Sequence, residues 1–268
     1  MSFSETINLV RKHSLLRFFS FTNRNRTVLE KTRGIFLHHI NYSETSIIAR
    51  IYTEKFGNQS YLINGVRKKK ATMRKSLFQP LFLLDLEVYY RPGRNLQRLK
   101  DVKLSIPFEH IPFDIAKSSQ AIFLAEILLK CLKEEEANPE LFDFLYHAIA
   151  LLDMKKDGIA NFHLAFLFHL SRFLGVAPQK PEHASTVFFD LESAAFSVSE
   201  PLHNQYMNAE TAGNFKQLFQ FDLGKIEQLL IDKHQRTILL DQLIKYYQIH
   251  LDISSNLKSL VVLKEVME

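Results

Sequence analysis

The chain has 268 residues, 46% hydrophobic and 24% charged, long enough for one large or two moderate domains and too apolar to be disordered. Its one cysteine, Cys131, excludes an internal disulfide and fits a reducing, cytoplasmic compartment, and no apolar run approaches the roughly 20 residues of a membrane-spanning helix. The net charge of +5 hides an asymmetry: residues 1–110 hold 20 Lys and Arg against 8 Asp and Glu, and residues 111–268 hold 14 against 21, so the front of the chain suits an anionic partner, a nucleic acid or an acidic membrane surface.

Residues 1–30 read as a basic N-terminal extension, either a flexible arm or a stretch upstream of the true start; Arg17 breaks its only apolar patch, which makes a poor secretory signal. From Thr32 to Phe108 the periodicity is two. Five runs rich in β-branched and aromatic residues follow one another, GIFLHHI, TSIIARIYTE, QSYLING, LFLLDLEVYY and LQRLKDVKLSI. Turn signals separate them: NYSE at 41–44, KFGN at 55–58, NGVRKKK at 64–70 and RPGRN at 91–95. Five short strands in so few residues predict a small barrel or sandwich, because an open sheet of that size leaves reactive edges.

From Pro112 the period becomes helical. Asp114 is placed to cap a helix that runs to about Leu132, with Ile122, Ala125, Leu129 and Leu132 on one buried stripe. Asn138-Pro139-Glu140 opens a second helix ending near Lys156. A third, apolar nearly all round, spans about Ile159 to Leu174 and stops at Gly175. Residues 176–208 break the pattern with three prolines and a hairpin-like VFFDLESAAFSV. Helices resume at about 209–219, 223–231, 233–250 and 254–266. The fold class is α+β in two parts: a β-barrel domain over 31–110, then an all-α helical domain over 111–268 with an irregular insert at 176–208.

Motifs for catalysis are missing. Eight glycines are scattered without a P-loop or a G-x-G-x-x-G, and no G-x-S-x-G is present. Cys131 falls in an amphipathic helix, where a buried structural thiol is expected. His38 and His39 on one strand point to opposite faces, and His163 and His169, six apart on a helix, do not stack as an i, i+4 ligand pair. Glu134, Glu135 and Glu136 read as a solvated loop. No catalytic residue, cofactor or metal is expected.

Charge is the feature that stands out. Arg67, Lys68, Lys69, Lys70, Arg74 and Lys75 put six cations in nine residues, and Arg91, Arg94, Arg98 and Lys100 form a second cluster around the next turn. That density exceeds what solubility asks of two turns, and its self-repulsion costs stability unless an anion neutralises it. Loops joining successive antiparallel strands emerge at opposite ends, so one shared groove requires strand tilt. Tyr61, Phe78, Tyr89 and Tyr90 lie nearby as candidate stacking faces, although the barrel core claims most of them.

The stretch TRGIFLHHINYSETSIIARIYTEKFGNQSYLINGVRKKK, followed by LFQPLFLLDLEVYY, resembles the start of the RecO family of bacterial recombination-repair mediators. Glu44, Ser46, Thr53, Gly57, the Gly65-Val66-Arg67-Lys68 turn and Gln79-Pro80 carry the likeness. The three-helix middle, FFDLES and the closing NLKSLVVLKEV extend it over roughly residues 31–268, in the form found in Bacteroidetes. The resemblance implies an N-terminal OB-fold barrel and a helical C-terminal domain. It also implies a non-catalytic mediator, cytoplasmic and nucleoid-associated, with no membrane partner. Such a mediator binds single- and double-stranded DNA and anneals complementary strands. It engages the C-terminal tail of single-stranded DNA-binding protein and, with RecR, helps load RecA. By position the DNA-binding role falls on Arg67, Lys68, Lys69 and Lys70, then on Arg74, Lys75, Arg91, Arg94 and Arg98.

One departure is plain. Many members carry a four-cysteine zinc finger in the insert, whereas residues 176–208 hold no cysteine, only His183 and His203. No structural zinc is therefore expected, and packing of Phe188, Phe189 and Phe196 onto the helical core must take its place. Two other readings stay open beside the mediator. One is a protein adaptor whose helical domain accepts an acidic peptide tail, the basic loops being incidental. The other is an RNA-binding barrel protein of translation.

Overall fold

The computed structural model describes residues 27–66, 75–183, 185–253 and 256–267. The alternating front of the chain forms β1 (Val28–Asn41), β2 (Ile47–Thr53), β3 (Gly57–Ile63), β4 (Leu83–Tyr90) and β5 (Leu96–Leu104). These are the five strands that period two predicted. They close into a barrel in the order β1-β2-β3-β5-β4, the arrangement of an OB fold. β3 pairs with β5 in parallel and the other pairs are antiparallel. Inward side chains, among them Phe36, Ile51, Tyr61, Leu84, Leu86 and Val88, fill the interior.

Local chemistry starts and stops the helices as expected. Asp114 accepts from the N–H groups of Ala116 and Lys117 and opens α1 (Ile115–Cys131). Asn138 accepts from the N–H of Leu141 and opens α2 (Pro139–Met154), with Pro139 in the first turn. A 3₁₀ turn leads into α3 (Phe162–Phe173), beyond which Gly175 takes φ 74°. The stripe expected on α1 holds at Ala125, Leu129 and Leu132 and fails at Ile122. Ile122 is 47% exposed, while Ala121, Phe123, Leu124, Ala125, Ile127 and Leu128 are buried. α1 packs against β1 on one side and against a C-terminal helix on another, so burial spreads round it and a one-sided pattern misplaces the solvent face.

The insert contains β6 (Phe188–Asp190) and β7 (Ala195–Ser197) as the hairpin, and β8 (Tyr206–Met207) adds a third strand. Helices α4 (Ala209–Gln217), α5 (Lys233–Leu251) and α6 (Lys258–Met267) complete the chain. Phe189 and Phe196 pack onto Phe215 of α4, with ring centres 4.7 and 6.0 Å away. Phe188 does not join them; it lies against Tyr206 at 5.9 Å on the other face of the small sheet, because neighbouring strand residues point to opposite sides. The insert does not fit a four-cysteine zinc site. It supplies no thiolate, His203 stands 3.3 Å from Asp190, and aromatic rings occupy its inner face.

Barrel and helices share one core. Ile35, Leu37, Tyr52 and Leu83 point out of the barrel and join the helical side chains, with the Tyr52 ring on Phe142 at 6.2 Å. Arg33 clamps the two parts. Its guanidinium donates to Glu54 at 3.0 and 2.8 Å and to Asp143 at 3.2 Å, over the rings of Phe142 and Tyr146 at 5.1 and 4.8 Å. At the β2–β3 turn, Asn58 donates from its backbone to the Glu134 carbonyl and from its side chain to the Leu132 carbonyl. The glutamates after α1 thus act through their backbone, while their side chains stay in water.

Candidate nucleic-acid interface

The helices cover one end of the outer face of β2 and β3, where Tyr52 and Asn58 are buried, and leave the other end open. Strand register fixes what is exposed there. Arg50 stands opposite Ser60, and Ser60 opposite Leu96; Ile48 stands opposite Leu62, and Leu62 opposite Arg98. Arg98 in turn faces Tyr89, and Tyr89 faces Leu29. These side chains point outward because the residues between them, Ala49, Tyr61, Gln97 and Leu99, fill the interior. Arg50 is braced by a hydrogen bond to Ser60 Oγ at 2.8 Å.

The turn after β4 is built by its own sequence. Arg91-Pro92-Gly93-Arg94 closes with a hydrogen bond from Arg94 N–H to the Arg91 carbonyl at 3.3 Å, and Gly93 takes φ 74°, the combination of a type II turn. Gln97, 2% exposed, fastens it with three more bonds. Its amide accepts from Arg91 N–H at 2.9 Å and donates to the carbonyls of Arg91 and Arg94 at 2.9 and 2.8 Å. Arg91 and Arg94, first and last residues of the turn, are therefore held close together. With Thr27, Tyr89, Leu96 and Arg98 they line an open cleft of 490 Å³.

Neighbouring cations are paired with carboxylates. Lys31 and Lys100 both reach Glu87, at 3.3 and 2.8 Å, and Lys103 reaches Asp85 at 3.6 Å. Hydrogen bonds from Lys100 and then Lys31 hold the Glu87 carboxyl below its usual range. Arg94 and Arg98 form no ion pair among the described residues, so their charge faces solvent. Lys100, grouped with the arginines on sequence grounds, is committed to a carboxylate.

Arg67, Lys68, Lys69, Lys70 and Arg74 lie outside the described residues. Both ends of their segment are anchored. Val66 and Phe78 are buried in the barrel core, with Phe78 on the Phe36 ring at 5.8 Å, and Lys75 is exposed at the head of a short 3₁₀ turn. Because β3 and β5 are parallel and Leu62 faces Arg98, the end of β3 at Ile63 is one residue beyond the level of Arg98. The arginine cluster and the anchor of the lysine-rich segment thus bound one open strip. Simple up-and-down connectivity put the two loops at opposite ends; the parallel β3–β5 pair explains how a single strip joins those ends.

Sequence reasoning named four aromatics here. Tyr61 and Phe78 are core, and Tyr90 stacks on Phe56 at 3.9 Å; Tyr89 is 42% exposed. It missed Arg50, Leu29 and Leu96; alternation marked Arg50, which lies between inward Ala49 and Ile51, but not Leu29, beside exposed Val28, or Leu96, beside buried Gln97. His38 and His39 are not splayed to opposite faces. A bulge between Phe36 and His38 twists the strand, and their rings lie near-parallel with centres 6.2 Å apart.

Titratable groups elsewhere have structural explanations. Burial pushes His163 down to about 3 and Cys131 up to about 12, and it lowers His169, whose ring nitrogen meets the Phe221 carbonyl. Among the described residues no three His, Cys, Asp or Glu are grouped to hold a metal ion, and no helix is long and apolar enough to cross a membrane. What the open strip can do is attract phosphates and cover a flat apolar face.

Comparison with known proteins gives the same division of the chain. A family model described as Recombination protein O N terminal matches residues 28–108, and one described as Recombination protein O C terminal matches residues 112–260. The chain is similar to a DNA repair protein RecO of Bacteroides fragilis, 42% identical over 242 residues, covering 90% of this chain and 100% of the relative. It is 40% identical to that of Phocaeicola vulgatus over 239 residues, 89% and 99% of the two chains. It is 37% identical to that of Flavobacterium psychrophilum over 240 residues, 88% and 98%.

Proposed function

The chain belongs to the RecO family, and on that premise we propose that it is a DNA repair and recombination protein that binds single- and double-stranded DNA on the open strip of its barrel and catalyses no reaction. The observation that carries the reading is the pair Arg94 and Arg98, exposed on a turn and strand and without carboxylate partners among the described residues, while the lysines beside them are paired with Glu87 and Asp85. Cations of this kind release counterions when phosphates replace them, which supplies affinity without regard to sequence. They also offset the repulsion between two strands, so that base pairing chooses the partner. In this reading Arg67, Lys68, Lys69, Lys70, Arg74 and Lys75 extend the strip, with Arg91 beside the two arginines. The proposed role includes annealing of complementary strands, engagement of the tail of single-stranded DNA-binding protein, and action with RecR in loading RecA, and family membership supports it. The helical part, with 14 cations against 21 acids in residues 111–268, is the wrong sign for DNA and suits protein contacts. In this reading the protein works in the cytoplasm.

The test is annealing of two complementary labelled strands by wild type and by Arg94→Glu/Arg98→Glu. The variant is expected to anneal at least about tenfold more slowly, from two lost phosphate contacts and two added repulsions, with its thermal midpoint unchanged. Equal annealing rates would remove the strip as the DNA site.

A further inference from the structure

We propose that the corner beneath the β4–β5 turn is a base-stacking subsite that takes single-stranded DNA and not a duplex. The proposal rests on the DNA-binding reading above and adds to it which strand state this corner selects. Its floor is apolar and open. Leu29, Tyr89 and Leu96 come from three adjacent strands and are 47%, 42% and 39% exposed. Further along the same strands the barrel surface is charged instead, Lys31 and Lys100 both pairing with Glu87. An apolar floor in that setting is out of place unless something covers it.

The rim is cationic. Arg91, Arg94 and Arg98 line a cleft of 490 Å³ together with Tyr89 and Leu96, within the roughly 300–1,000 Å³ that small-ligand sites occupy, and Leu29 stands beside it opposite Tyr89. Gln97 holds the turn by three hydrogen bonds, so the guanidinium groups start from a fixed backbone and little ordering is left for binding. A flat apolar floor inside a guanidinium rim matches a nucleobase joined to phosphates. In a duplex both faces of each base are covered by its neighbours, so a duplex offers this corner phosphates alone. An acidic peptide with an aromatic end has the same charges, but the cations do not stop at the cleft: Arg50 stands beyond it on β2, across Ser60 from Leu96. A continuing track suits a polymer of phosphates.

The experiment measures affinity of the full chain for an oligothymidylate and for a blunt duplex of equal length, at one salt concentration, for wild type, Tyr89→Ala and Tyr89→Phe. Tyr89→Ala is expected to weaken the single strand on the order of tenfold to a hundredfold and to leave the duplex unchanged, and Tyr89→Phe is expected to restore the single strand. Equal losses on both DNAs, no loss on either, or failure of Phe to restore binding each overturn the subsite while leaving the interface. A wild-type chain that binds neither DNA removes the interface itself and the subsite with it. Loss of an acidic, aromatic-ended peptide by Tyr89→Ala, with oligothymidylate binding intact, assigns the corner to a protein ligand and overturns the proposal.

Discussion

Asp153, 6% exposed near the end of α2, holds down the strap between barrel and helices. Its carboxylate accepts from the N–H groups of Glu109, His110 and Ile111 at 2.9, 2.9 and 2.7 Å. Burial opposes its ionisation, but the three N–H donors prevail and hold the group below the usual carboxylate range. A carboxyl lowered on folding stabilises fully above its unfolded value near about 3.9, and that contribution fades as pH falls through the folded value. Asp153→Asn is therefore expected to cost roughly 2–3 kcal/mol at pH 7. The gap between its urea midpoint and that of wild type should narrow in acid below about pH 4; a gap that does not change with pH would show that ionisation is not what matters. The sequence showed Asp114, Asn138 and Gly175 in their roles because a cap acts on residues next to it. It did not show Asp153, whose three partners are about forty positions away and carry no side-chain signature.

Most of the family-like pieces in the barrel turn out to be turn chemistry. Thr53 Oγ1 donates to the Gly57 carbonyl at 2.9 Å and accepts from Phe56 N–H at 3.1 Å. Ser46 Oγ donates to Asn64 Oδ1 at 3.1 Å, and Gly65 takes φ 73° just before buried Val66. Gly57 has the tightest position. At φ 61° an added Cβ would lie 2.3 Å from the carbonyl oxygen of Glu136 and 2.9 Å from that of Glu134, and neither backbone atom can rotate away. Gly57→Ala must push the β2–β3 turn off the loop between α1 and α2, at a cost above about 2 kcal/mol. A chemical-unfolding midpoint within error of wild type would mean that the contact is loose. The five strands were legible because alternation and turn residues agree over several residues each. β8 was not, since two residues carry no period. The burial of α1 was not either, since a helix between two layers loses the polar face on which a stripe depends.

For the whole molecule, the basic front of the chain includes an open strip on the barrel whose outer face, at the Tyr52 and Asn58 end, is spent on the helices. That the front of the chain is basic was plain from composition. That Arg98 and the anchor of the lysine-rich segment bound the same strip depended on the parallel pairing of β3 with β5, which no local pattern encodes. That Lys100 is paired with a carboxylate and Arg98 is not depended on where Glu87 falls across the sheet. The most direct check is the salt dependence of single-strand binding for wild type and for Lys68→Glu/Lys69→Glu/Lys70→Glu. With about five phosphates neutralised, log affinity should fall against log salt with a slope near −3.5, and the triple variant should flatten it by about two units. A shallow slope, or one that the three substitutions leave alone, would make the basic strip an ordinary solvated surface and send the search for a partner to the helices.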